Sequence, residues 1–113
     1  MPDNTPIIVT KVYDLLLWML PKLAKFPKNE RYLLGQRIEN MLLDILEILI
    51  EASFTKEKLS LLRRANLNLE KLRFLVRLAK DVHYINIKTY EYQAKAVNEI
   101  GKMIGGWIRQ NTR

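Results

Sequence analysis

Apolar residues recur along this chain every three or four positions, and no stretch alternates with period two for long enough to make a strand. Ile8, Val12, Leu15 and Met19, with Leu16, Leu20 and Leu23 alongside, predict a first amphipathic helix over about 6–25. Pro21 lacks the amide proton that a helix ladder needs, so it is expected to kink this helix or end it early. Phe26-Pro27-Lys28-Asn29 reads as a break, with Asn29 a candidate cap for a second helix over about 29–53. That helix carries Leu34, Ile38, Met41, Ile45, Ile48 and Ala52 on one stripe. Thr55 is a candidate cap for a third helix over about 56–83, whose Leu62, Ala65, Leu69, Leu72, Val76 and Ala79 alternate spacings of three and four without a fault. Leu61, Leu75 and Val82 widen that stripe. Tyr90, Ala94, Val97, Gly101, Ile104 and Ile108 define a fourth helix over about 87–111. Four helices on short connections predict one all-α domain over 1–113, folded as an antiparallel up-down-up-down four-helix bundle.

The third helix has more apolar surface than one core stripe uses. On a wheel of ~100° per residue, Leu67, Phe74 and Leu78 fall nearly opposite the core positions. Arg64 and Lys71 flank them on one edge, and Arg63, Arg73, Arg77 and Lys80 lie on the other. A central helix that is greasy all round would explain a lone leucine. Three apolar residues aligned at spacings of seven and four read better as a subunit interface with basic margins.

Charge sharpens this picture. The chain has a net charge of +7 over 113 residues. Residues 1–54 carry six Lys/Arg against seven Asp/Glu, whereas residues 55–113 carry thirteen against five. The excess therefore belongs to the second half, as expected of a basic surface with an anionic partner. On the fourth helix Lys88, Lys95, Lys102 and Arg109 repeat every seven residues, one basic line down ~30 Å of helix. Alone, such a line is as well read as a solvated face. Beside Arg73, Arg77 and Lys80 it becomes a candidate phosphate-tracking surface. Tyr92 is a candidate for stacking on bases, while Tyr90 reads better as core. The acids Glu39, Asp44, Glu47 and Glu51 crowd toward the end of the second helix, where Lys56, Lys58, Arg63 and Arg64 of the next helix can compensate them.

Gly101 and Gly105, one turn apart and followed by Gly106, cost ~1 kcal/mol each inside a helix and point to close backbone approach by a neighbour. Trp107 reads as an anchor in core or interface, and His83 as a cap favourable to the helix dipole. No nucleophile elbow, phosphate-binding glycine loop or carboxylate–histidine set assembles, so no catalytic residues are assigned. With no cysteine and one histidine, no metal site or cofactor is expected either. The longest purely apolar run, Leu15–Leu20, falls far short of the ~20 residues of a membrane span, and Met1–Thr10 lacks the features of a targeting signal. A cytoplasmic protein is expected.

Three segments resemble a known family. LAKFPKNERYLLGQRIENMLLDILEILIEA, LLRRANLNLEKLRFLVRLAKD and NEIGKMIGGWIRQ look like the accessory variability determinant (Avd) proteins of diversity-generating retroelements, over about residues 13–111. The most specific matches are LRF-x-x-R-L in the third helix and G-x-x-x-G-G-W-I in the fourth. Relatives encoded in intervening sequences of bacterial 23S ribosomal RNA genes usually carry a serine-proline and alanine-glutamate-glycine pattern that is missing here. The resemblance implies a four-helix bundle that assembles as a basic pentameric barrel. It also implies binding to the element's reverse transcriptase and to RNA or DNA during mutagenic copying. Carried onto this chain, the arginines of LRFLVRL are Arg73 and Arg77, the first choice for nucleic-acid or polymerase contacts.

Three rival readings make different predictions. A membrane-surface protein would bind anionic vesicles without RNA, but the bundle consumes the broad apolar faces. An oligomeric adaptor for an acidic protein would show no affinity for nucleic acid. An intervening-sequence relative would lack a neighbouring reverse-transcriptase gene.

Overall fold

The computed structural model describes residues 5–112. Met1–Asn4, part of the stretch read as free of targeting features, and Arg113, within the domain span 1–113, lie outside the described residues. Helix α1 is Ile7–Leu23, α2 is Gln36–Phe54, α3 is Leu59–Asp81 and α4 is Ile87–Gln110. A helical turn Lys28–Glu30 and a π-turn Arg31–Gly35 lead into α2. No strand is present among the described residues, and none of their helices is long and apolar enough to cross a membrane.

The four helices pack around one core within 45 × 27 × 22 Å. α2 packs on α1 and α3, and α4 on α3 and α1. Between α3 and α4 the partners run in opposite order. Lys58 Nζ at the start of α3 lies 5.8 Å from the Trp107 ring, while Lys80 Nζ near its end lies 4.8 Å from the Tyr90 ring. On the α1–α4 side, Lys11 Nζ sits 3.0 Å from Glu99 Oε1 and Trp18 stacks on Tyr92 at 4.3 Å. The hydrogen bond and charge of Glu99 raise the Lys11 pKa above its ordinary value.

All six residues of the α3 core stripe are buried. Of the six positions expected on the second helix's stripe, five are buried. Leu42 and Leu49 are fully buried, whereas Met41 is only half-buried. Leu20 and Val82, expected beside core stripes, are exposed. On α4 the innermost residues are Gln93, Val97, Ile100 and Ile104.

Two expected caps are corrected. Asn29 lies inside the Lys28–Glu30 turn, and Pro27 starts that turn by accepting N–H bonds from Glu30 and Arg31 on its carbonyl. A proline suits a helix start because its missing N–H would have had no partner there. Thr55 closes α2 instead of opening α3: its N–H donates to the Ala52 carbonyl and its hydroxyl to the Glu51 carbonyl. Lys58 Nζ donates to the Ala52 and Thr55 carbonyls at 2.8 and 2.6 Å, so its cation sits on the negative end of α2. Pro21 falls in the last turn of α1, which ends two residues later. Asn86 caps α4, its side chain accepting the Thr89 N–H at 2.8 Å.

His83 follows α3 with φ +67. Its N–H donates to Lys80 and the Tyr84 N–H reaches back to Ala79, the bond pattern of a Schellman ending. Glycine usually takes this left-handed position because it has no Cβ to strain. His83→Gly is therefore expected to raise the unfolding free energy by up to about 1 kcal/mol, read as a higher midpoint in thermal unfolding.

Candidate nucleic-acid interface

The α3 and α4 helices meet along a shallow groove of about 420 Å³. α3 contributes Asn66 and Arg73, seven residues apart and so on one face. α4 contributes Asn98, Lys102 and Arg109, with Gly101 and Gly105 between them. Two separate basic lines thus converge on one concave surface: Arg73 from α3, and Lys102 with Arg109 from α4.

Gly101 makes the convergence possible. A Cβ built there would lie 3.0 Å from Arg73 Nη2 and 3.3 Å from Leu69 Cδ2. The missing side chain lets the Arg73 guanidinium cross the α4 backbone and donate from Nη1 to Asn98 Oδ1. Arg73 Nε lies 3.0 Å from Glu70 Oε1 but has no hydrogen-bond acceptor, so that contact is ionic and off the N–H direction. Arg73 is thereby held by two side chains, which lowers the entropy it would lose on meeting an anion. Among the described residues, Lys102 and Arg109 form no ion pair.

The close approach expected at the glycines holds only in part. At Gly101 the neighbours are α3 side chains rather than backbone. At Gly105 and Gly106 a built Cβ would meet only the chain's own Arg109, at 3.5 and 3.8 Å. Gly105→Ala and Gly106→Ala are therefore each expected to stabilise the folded chain by about 0.5–1 kcal/mol through helix propensity. Gly101→Ala should gain less, because Arg73 and Leu69 must yield. Thermal unfolding of the three variants checks the order.

The remaining sequence candidates separate. Arg77 and Lys80 share Asp81, at 3.8 and 3.2 Å, and neither lines the groove. Arg64 lines a different hollow, between α2 and α3, beside Asp44, Glu47 and Glu51. Arg63 and Lys71 are exposed elsewhere on α3, and Lys88 and Lys95 are exposed on α4 nearer its start. Tyr92 has one face occupied by Trp18, with Lys22 Nζ 4.1 Å from the Trp18 ring centre. Tyr90 packs against the core, as does half-buried Trp107. Leu67, Phe74 and Leu78 are all exposed, Phe74 by 66%. Asn66 and Asn98 were missed as groove residues because an uncharged amide leaves no mark on a charge pattern.

A family model described as bAvd-like matches residues 6–111. The chain belongs to the bAvd-like family. The match takes in all four helices, and it agrees with the resemblance to the Avd accessory proteins of diversity-generating retroelements drawn from the sequence. Comparison with individually curated proteins gives no significant match. Within this bAvd-like chain both specific motifs reach the groove. Arg73 comes from LRF-x-x-R-L, and Gly101 and Gly105 come from G-x-x-x-G-G-W-I.

Proposed function

We propose that this chain is a non-catalytic, cytoplasmic accessory subunit of a diversity-generating retroelement, binding the reverse transcriptase and its template RNA or cDNA to support mutagenic copying. The observation that carries this reading is the convergence of Arg73, Lys102 and Arg109 on the α3–α4 groove. Three cations on a concave surface suit the phosphate backbone of a nucleic acid. Phosphate contacts carry no base information, so little sequence selectivity is expected. Arg77, Lys80, Lys88 and Lys95 extend the positive field beyond the groove and help to steer an anion toward it. Up-down-up-down antiparallel topology, supported by the opposed order of contacts between α3 and α4, belongs to the same reading.

The second part of the proposal is assembly. Leu67, Phe74 and Leu78 form an exposed apolar stripe with arginines and lysines at its margins. Packed against a neighbouring copy, the stripe leaves water and the grooves repeat around a ring, pentameric as the family resemblance implies. Repetition raises effective concentration without new chemistry. Phe74→Glu puts a charge into that contact while leaving the buried core intact. It is expected to reduce the native mass to that of smaller species, keep the helical circular-dichroism signal, and weaken RNA binding through lost multivalency.

The function is tested by passing this chain, the reverse transcriptase of the same element and the template RNA over a sizing column. Co-elution of all three at low salt is expected. An RNA that elutes free while the two proteins travel together would leave a protein adaptor and overturn the nucleic-acid role.

A further inference from the structure

The near-neutral first half of the chain hides a local excess of positive charge. Between residues 22 and 37 stand Lys22, Lys25, Lys28, Arg31 and Arg37 against Glu30 alone. Packing brings this segment to one end of the bundle. Buried Phe26 in the α1–α2 connection lies 5.5 Å from Tyr84, ring centre to ring centre, and Tyr84 belongs to the α3–α4 connection. Both connections therefore share an end, where Lys88 stands in the first turn of α4. Among the described residues no carboxylate lies within ion-pair distance of Lys25, Lys28, Arg31 or Arg37.

The π-turn Arg31–Gly35 decides what this end presents. Gly35 is buried, and a Cβ there would lie 3.4 Å from the Glu30 carbonyl oxygen and 3.5 Å from Phe26 Cδ2. The wide turn thus settles against Phe26 and the end of α1 at ordinary contact distances. Leu34 goes inward, while Tyr32 is left 75% exposed between Arg31 and an exposed Leu33. Among the described residues the Tyr32 ring has no aromatic or cation–π partner, and an exposed ring costs apolar hydration in water.

We propose that this end of the bundle is a second, separate site for single-stranded nucleic acid, with Tyr32 stacking on an unpaired base and Lys28 and Arg31 holding the flanking phosphates. Cations that track a backbone beside an aromatic platform are the general design of single-strand binding. Paired bases are already stacked, so a duplex gains only the charge contacts. The site lies about 20 Å along α4 from Gly101, counted from Lys88 at 1.5 Å per residue. A strand leaving the α3–α4 groove can therefore continue onto the bundle end. This site shares its class of ligand with the proposed function but none of its groove residues.

The test is fluorescence anisotropy of a labelled oligouridylate and of a matching duplex, titrated with the full chain across a salt series. Tyr32→Ala is expected to weaken single-strand binding by about tenfold at an unchanged salt slope, with duplex binding unaltered. Tyr32→Phe should restore it. Lys28→Gln/Arg31→Gln should reduce the single-strand slope by about 1.4 in logarithmic units. If these variants bind like the unaltered protein while Arg73→Gln/Lys102→Gln/Arg109→Gln loses affinity, the end site is overturned and the groove stands. Loss in the end variants with the groove variant unaffected supports the end site and overturns the groove. A fall in native mass for Tyr32→Ala overturns the proposal, because Tyr32 then belongs to a subunit contact. Absence of binding by the unaltered protein overturns both.

Discussion

Replacing Arg73, Lys102 and Arg109 together with glutamine is expected to lower affinity for single-stranded RNA by about 100-fold at ~0.1 M salt. The magnitude follows from counterion release. Each neutralised phosphate contributes ~0.7 to the logarithmic salt slope on a single strand, so three contribute about 2. Acting over the decade of salt below ~1 M, a slope of 2 amounts to about two decades of affinity. The same substitutions should cost little stability. Lys102 and Arg109 are exposed, and the Arg73–Glu70 pair is a partly exposed contact of a class worth ~0–1 kcal/mol. Glutamine keeps much of the length and helix propensity of the original side chains. Removing two cations outside the groove, Lys11 and Lys56, should leave the slope nearly unchanged. That contrast separates a specific surface from general positive charge.

Leu69→Ala is expected to destabilise the bundle by about 2–5 kcal/mol, the usual cost of emptying a leucine site in a packed core. Leu69 is 1% exposed, and its Cδ2 packs beneath Gly101 where α3 meets α4. Neither neighbour can refill the space readily. Gly101 has no side chain, and Arg73 is already committed to Asn98 and Glu70. At about 4 °C per kcal/mol for a domain of this size, the unfolding midpoint should fall by roughly 8–20 °C. Because Leu69 lies under the groove, the folded fraction should also bind RNA more weakly. Arg73 would lose the surface that supports it. Thermal unfolding by circular dichroism, followed by binding at a temperature where the variant is still folded, reads both effects.

What was legible in the sequence depended on whether a feature is local. All six α3 core positions follow from the sequence because their stripe repeats within one uninterrupted helix. α3 starts at Leu59, three residues after the start that the sequence pattern predicts. Thr55, Lys56 and Glu57 read as a cap and first turn, yet the Thr55 N–H turns back to Ala52 and Lys58 occupies the carbonyls there. Asn29 misled in the same way beside Pro27. The π-turn left no mark beyond Gly35, since a one-residue widening looks like ordinary drift of the apolar period.

The candidate site divides along the same line. That Lys102 and Arg109 share a face follows from their spacing, and the pairing of Arg77 with Asp81 follows from a separation of four. The meeting of Arg73 with Lys102 and Arg109 depends on how closely two helices approach. Gly101 sets that approach through a contact distance rather than a period. Arg64 carries two readings in the sequence, a basic margin of α3 and a partner for the acids crowding the end of α2, and it lines the hollow beside Asp44, Glu47 and Glu51 as the second expects.

The salt dependence of single-stranded RNA binding by the unaltered protein tests the central claim most directly. The logarithm of the observed association constant, plotted against the logarithm of salt concentration, is predicted to fall with a slope of at least about 2. A slope near zero, or no binding at low salt, would contradict a phosphate-binding groove at α3 and α4.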